Sequence, residues 1–113
     1  MTVTGDILRG HIDMVILASL AGEDSYGYRI NRDIQKAAGE KYELKEATLY
    51  SAFRRLEKER LIESYWGDEA LGARRRYYKI TPEGTAAYTE MLLSWEEIKK
   101  IIDAIISGEV GGD

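Results

Sequence analysis

A mainly α-helical fold with one small β-hairpin is predicted by three features of the 113-residue sequence. Apolar residues recur at the helical spacing in three stretches before residue 61, two short β-rich runs follow, and one apolar stripe extends through the last third of the chain. The length suits one domain and is short for two.

The first helix is placed between Asp6 and Ala21, where Ile7, Leu8, Ile12, Val15, Ile16 and Ala18 to Leu20 repeat at three and four. Gly22 to Asp24 ends it, and Ser25 is the expected N-cap of a second helix running to about Ala38 and closed by Gly39. Tyr26, Ile30, Ile34 and Ala37 share one face of that helix. A third helix, from about Glu46 to Arg60, sets Leu49, Ala52, Phe53 and Leu56 in one stripe. Its opposite face carries Ala47, Ser51, Arg54 and Lys58, flanked by Tyr50 and Arg55. Leu61 to Trp66 and Arg75 to Ile80 are rich in aromatic and β-branched residues around a polar, glycine-containing loop, which predicts the hairpin. Thr81 and Pro82 then form an N-cap and first-turn pair, with Glu83 where the helix dipole favours an acid.

The last helix, Pro82 to about Ile106, is long for so small a domain. Tyr88, Met91, Trp95, Ile98, Ile102 and Ile105 are spaced as a heptad seam, broadened by Leu92, Ile101 and Ile106. A stripe of that length needs a partner, and a second copy of the chain is the simplest one. Three helices followed by a hairpin is the order of a winged helix-turn-helix domain, here residues 1–81. Residues 82–107 are then a dimerisation helix with Trp95, Ile98, Ile102 and Ile105 at the interface, and 108–113 are expected to be a disordered tail.

Composition removes most enzymatic chemistry. Hydrophobic residues are 44% and charged ones 32%, a globular balance. With no cysteine there are no disulfides, thiolate metal sites or cysteine nucleophiles, and the single histidine, His11, cannot build a multi-histidine zinc site. No phosphate-binding glycine loop, carboxylate pair or ligand cluster appears, so neither an enzyme nor a cofactor is expected. No apolar run approaches the length of a membrane span, and the N-terminus lacks a basic segment followed by an apolar one. A cytoplasmic protein without a membrane partner is the expectation.

The net charge of −4 argues weakly against nucleic acid, but the charges are unevenly placed. Residues 81–113 hold two basic and seven acidic groups, whereas Lys45 to Lys79 holds nine basic and six acidic ones, including consecutive Arg74, Arg75 and Arg76. A basic patch on an acidic protein is the better description.

Ala47-Thr48-Leu49-Tyr50, then Arg55-Leu56-Glu57, then Ile62, Ser64 and Trp66 form the most distinctive local pattern. Together with Gly72-Ala73-Arg74-Arg75-Arg76-Tyr77-Tyr78-Lys79-Ile80-Thr81 and Gly84, it resembles the PadR family of transcriptional regulators, from Met14 to about Ile105. The single long C-terminal helix bearing Trp95 is similar to the small LmrR-like subgroup of multidrug-responsive repressors. The resemblance implies a dimeric repressor whose third helix enters the major groove of double-stranded DNA and whose wing touches the flanking backbone or minor groove. Tyr50, Ser51, Arg54, Arg55 and Lys58 are then the candidate helix contacts, and Arg74, Arg75 and Arg76 the wing contacts. The residues support this independently, since hydroxyls and guanidinium groups suit base edges and phosphates. A blander explanation of Arg54, Arg55 and Lys58 is a solvated helix face paired with Glu57 and Glu59. Two departures from the family pattern are Arg60, where such sequences usually have glycine, and Ala73 in place of a second wing glycine. The third helix must therefore end without a left-handed glycine, or Arg60 must itself take positive φ.

The subgroup resemblance further implies that paired Trp95 side chains line a flat pore for aromatic molecules. The positions matching that lining are Val15, Ser19, Tyr88, Met91, Leu92, Trp95 and Lys99. Pattern alone also allows Trp95 to be ordinary dimer core. Lys99 at the rim favours anionic aromatics over cationic ones. A reading of a different class is a winged-helix adaptor that binds protein through the same exposed helix.

Overall fold

The computed structural model describes residues 9–67 and 74–108. A 3-10 turn (Arg9–His11) leads into α1 (Ile12–Ala21), followed by β1 (Ser25–Tyr26), α2 (Gly27–Ala37), α3 (Glu46–Lys58), β2 (Ile62–Trp66), β3 (Arg76–Ile80) and α4 (Pro82–Ser107). The helical pattern expected from Asp6 thus becomes an α-helix only at Ile12, with residues 6–8 outside the described chain.

The apolar stripes converge on one core. Ile16, Leu17 and Leu20 of α1, Ile30 and Ile34 of α2, and Leu49, Ala52, Phe53 and Leu56 of α3 are buried together with Ile62 and Tyr78 from the sheet. Tyr42 and Leu44 from the α2–α3 connection complete the cluster. The connection is held by Asn31, whose amide donates to the Leu44 carbonyl at 2.7 Å and whose side-chain oxygen accepts from the Leu44 N–H at 3.1 Å. Phe53 stacks on Tyr78 with ring centroids 3.9 Å apart, which seats α3 against the sheet. Complete burial of side chains of this size contributes about 1.5–3 kcal/mol each.

Two expectations need correction at the start of α2. Ser25 is not an N-cap: it lies in β1, paired with Tyr78, while Tyr26 pairs with Tyr77. The hairpin is therefore the greater part of a three-stranded antiparallel sheet of order β1-β3-β2. Tyr26 occupies the cap position with extended backbone and no side-chain cap bond. The buried Ser25 hydroxyl instead accepts from Arg29 Nε at 2.9 Å. Strand pairing outcompetes capping because β3 would otherwise leave an open edge beside the core.

The ends of α2 and α3 share one hydrogen-bond pattern. After α2, Gly39 N–H reaches the Lys36 carbonyl at 3.0 Å and Glu40 N–H the Gln35 carbonyl at 2.9 Å. After α3, Arg60 N–H reaches Glu57 at 2.9 Å and Leu61 N–H reaches Leu56 at 3.0 Å. Both are Schellman closures, with the residue after the cap in the left-handed region, and after α2 Glu40 follows Gly39 there with φ 64°. Gly39 has φ 64° and Arg60 has φ 62°, so Arg60 takes the conformation that glycine adopts more easily. The third helix ends at Lys58, two residues short of the expected boundary.

Thr81 caps α4 as expected, its Oγ1 accepting from Gly84 N–H at 2.9 Å and donating to the Arg60 carbonyl at 2.8 Å. Gly84 is buried against the chain leaving α3: a β-carbon there would lie 2.0 Å from the Leu61 carbonyl oxygen. Only glycine permits so close a crossing. The 26-residue α4 then runs about 39 Å, past the edge of the core. Gly108, expected in the tail, closes the helix with φ 77°, and residues 109–113 lie outside the described chain.

Candidate nucleic-acid interface

Helix α3 presents the face that its sequence pattern predicts. Ala47, Ser51, Arg54 and Lys58 are exposed opposite the buried stripe, and Tyr50 is partly exposed with its ring edge against Phe53, centroids 5.5 Å apart. Among the described residues no ion pair occupies Arg54 or Lys58. Arg55 differs. Its Nη2 and Nε both donate to the Asp13 carboxylate of α1, the Nε–Oδ2 distance being 3.3 Å. That hydrogen bond is the main reason the Arg55 pKa is raised above its ordinary value.

The three wing arginines do not act as one cluster, because strand alternation separates them. Arg76 pairs with Trp66 across β2 and β3, on the sheet face that buries Ile62 and Tyr78. Its Nη2 donates to Ser64 Oγ at 2.8 Å and lies 3.5 Å from Glu57 Oε2, while Ser64 Oγ donates to the same Glu57 oxygen at 2.9 Å. This triad ties the wing to the end of α3. Arg74 lies over the Trp66 ring at 5.2 Å. Arg75 lies over Tyr26 at 4.8 Å, with Arg29 over the same ring at 5.4 Å. Tyr26, Tyr77 and Tyr65 form a ladder of ring contacts at 5.4 and 5.7 Å. Tyr65 anchors the ladder by donating to Asp24 Oδ2 at 2.5 Å, a bond that raises its pKa. The loop positions singled out in the sequence, Gly72 and Ala73, lie outside the described residues.

The residues matching a ligand pore fall into separate roles within one chain. Val15 of α1 and Tyr88 and Met91 of α4 are each partly buried against the core. Ser19 donates to the Val15 carbonyl at 3.1 Å and lines, with Val15 and Tyr42, an open apolar depression toward α2. Leu92 is exposed. Trp95 meets His11 edge to face, ring centroids 4.9 Å apart, and Lys99 Nζ sits 5.8 Å from the Trp95 ring while pairing with Glu96 at 3.0 Å. The seam is thereby divided. Tyr88, Met91 and Trp95 have partners within the chain, whereas Ile98, Ile102 and Ile105 are exposed, together with Ile101 and Ile106.

Asp13 and Asp24 are the site residues that sequence reasoning missed, and the contacts of Ser64 and His11 were not foreseen. Nothing local signals these pairings, since Asp13 and Arg55 are 42 positions apart. The split of the arginine run was accessible in principle, because hairpin alternation alone puts Arg74 and Arg76 on one face and Arg75 on the other. Among the described residues no three His, Cys, Asp or Glu side chains are grouped to hold a metal, and no helix is long and apolar enough to cross a membrane.

The model of the PadR-like family of transcriptional regulators matches residues 16–90, which span the core, the exposed α3 face and the wing. The chain belongs to the PadR family. An uncharacterised protein of Lysinibacillus sphaericus is 44% identical over 106 residues, 94% of this chain and 97% of that protein. Among solved structures, a transcriptional regulator from Clostridium thermocellum is 47% identical with a TM-score of 0.82, covering 90% of this chain and 96% of that one. A PadR family transcription regulator from Clostridium difficile R20291 is 35% identical with a TM-score of 0.77, covering 86% and 99%. PadR membership thus extends to the winged-helix body and the long C-terminal helix alike. It makes this chain a transcriptional regulator from a family of DNA-binding proteins.

Proposed function

We propose that this PadR-family protein is a homodimeric repressor that binds double-stranded DNA through α3 and the wing and is released by a small, flat aromatic ligand at the dimer interface. One observation carries the reading: Ser51, Arg54 and Lys58 stand exposed on α3 beside the wing, while the distal half of α4 leaves an apolar stripe uncovered. The first feature suits phosphates and base edges, and the second suits a second copy of the chain. In this scheme residues 1–81 are the DNA-binding unit and residues 82–107 the dimerisation helix.

Within the DNA-binding surface the side chains divide the work. Ser51 and Arg54, on the outer face of α3, read bases, with Tyr50 and Lys58 beside them. Arg74 and Arg75 hold backbone phosphates. Arg55 and Arg76, already bonded to Asp13, Ser64 and Glu57, set the orientation of helix and wing before they touch DNA.

The ligand slot is completed by the partner chain, each protomer supplying one wall of Val15, Ser19, Tyr88, Met91, Leu92, Trp95 and Lys99. The likeness to the LmrR-like subgroup and the incomplete burial of Trp95 within one chain support this placement. Ligand and DNA then compete through geometry, since moving the wings by a few ångströms misplaces half-sites set about 34 Å apart.

The test is an electrophoretic shift with DNA from upstream of the protein's own gene, repeated with a planar aromatic dye. A shift that the dye reverses, and that Trp95→Ala makes insensitive to dye, is the expected result. Dye release that survives Trp95→Ala would place the ligand elsewhere. A chain that shifts no DNA but captures a protein through α3 would favour the adaptor.

A further inference from the structure

We infer that Trp66, on the wing, is itself a DNA-contacting residue: an apolar pad that packs against deoxyribose while Arg74 beside it takes the adjoining phosphate. The inference rests on the DNA-binding reading above and deepens it. Along β2, alternation puts Ile62, Ser64 and Trp66 on one face, and their partners across the ladder are Ile80, Tyr78 and Arg76. Ile62 and Tyr78 are buried against the core, and Ser64 bonds Glu57 of α3, so Trp66 is the next position outward on the face that meets α3.

The indole remains 54% exposed there, with the Arg74 guanidinium 5.2 Å from its ring. A bulky apolar side chain thus stands exposed beside a guanidinium, on the sheet face that meets α3 through Ser64 and Glu57. Duplex DNA offers the complementary alternation, an apolar sugar next to an anionic phosphate. An indole against the sugar and a guanidinium on the phosphate match that repeat side by side. Base identity plays no part in this contact, so it raises affinity for all sequences alike.

Affinity for a mixed-sequence duplex, measured across a range of salt concentrations, tests the assignment. Burial of part of the indole predicts that Trp66→Ala binds about tenfold more weakly with the salt slope unchanged, because an apolar contact releases no counterions. Trp66→Phe should keep most of the affinity, and Arg74→Gln should lower the slope by about one. In a chain whose only substitution is Trp95→Phe, the remaining emission from Trp66 should shift to the blue on adding the duplex. Wild-type affinity in Trp66→Ala would overturn the inference, as would emission that ignores the duplex. A slope lowered by about one in Trp66→Ala would also overturn it, showing that the indole serves only to hold Arg74. A wild-type chain without salt-dependent affinity would reject the DNA-binding reading itself, a result distinct from these.

Discussion

The Arg55 guanidinium clasps the Asp13 carboxylate through both Nε and Nη2, joining the exposed side of α3 to the first turn of α1. Both side chains are partly solvated, at 50% and 29% exposure, so the pair adds no more than about 1 kcal/mol to stability. Its larger consequence is electrostatic. If α3 faces DNA as proposed, a carboxylate beside it repels phosphate and occupies a cation that could otherwise bind it.

Asp13→Asn should therefore tighten binding to any duplex by a few-fold at low salt and steepen the salt slope, at little cost in melting temperature. Unchanged affinity would mean that Arg55 stays away from phosphate in both forms.

Two backbone sites flank the wing and should respond in opposite directions. Arg60→Gly relieves the left-handed φ of 62° and should raise stability by up to about 1 kcal/mol in a denaturant titration. Gly84→Ala would force a β-carbon to 2.0 Å from the Leu61 carbonyl oxygen and should cost about 1–3 kcal/mol as α4 is pushed off α3. The same sign for both would contradict the described junction.

Stability should also fall in strong alkali. Burial raises the pKa of Tyr42 and Tyr78 above the ordinary 10.0, and the Asp24 hydrogen bond does the same for Tyr65. A folded-state pKa raised above the unfolded one gives stability that is fully present below pH 10.0 and lost as pH rises through the higher folded value. Melting temperature against pH should accordingly decline above about pH 10, in step with phenolate absorbance. Tyr65→Phe should blunt that decline, and an equally steep one would show that the Asp24 bond does not contribute.

Ile98→Glu with Ile102→Glu places carboxylates on the uncovered stretch of α4. Sedimentation at micromolar concentration should then change from dimer to monomer while the winged-helix body stays folded, since neither residue belongs to the core. A wild-type chain that sediments as a monomer would refute the dimer.

The parts of the fold readable in the sequence are those set by long periodic stripes. Leu49, Ala52, Phe53 and Leu56 repeat clearly enough to fix both the buried and the exposed face of α3, and Thr81-Pro82 marks the start of α4 to the residue. β1 was not readable because two residues carry no period, and the pairing of Ser25 with Tyr78 exists only after the chain has folded. The dilemma at Arg60 was legible, but its resolution depended on the Leu61 and Arg60 N–H groups finding carbonyls on the last turn of α3. For the site, the outward positions of Ser51, Arg54 and Lys58 follow from periodicity. The binding of Arg55 and Arg76 by acids is a tertiary fact that no local pattern announces.

The most direct test of the central claim is the affinity of the wild-type chain for duplex DNA as a function of salt. Each phosphate neutralised makes the slope of log K against log salt steeper by about 0.9, so a dimer using Arg54, Lys58, Arg74 and Arg75 from both chains should give a steep negative slope of several units. A slope near zero would contradict DNA binding by α3 and the wing.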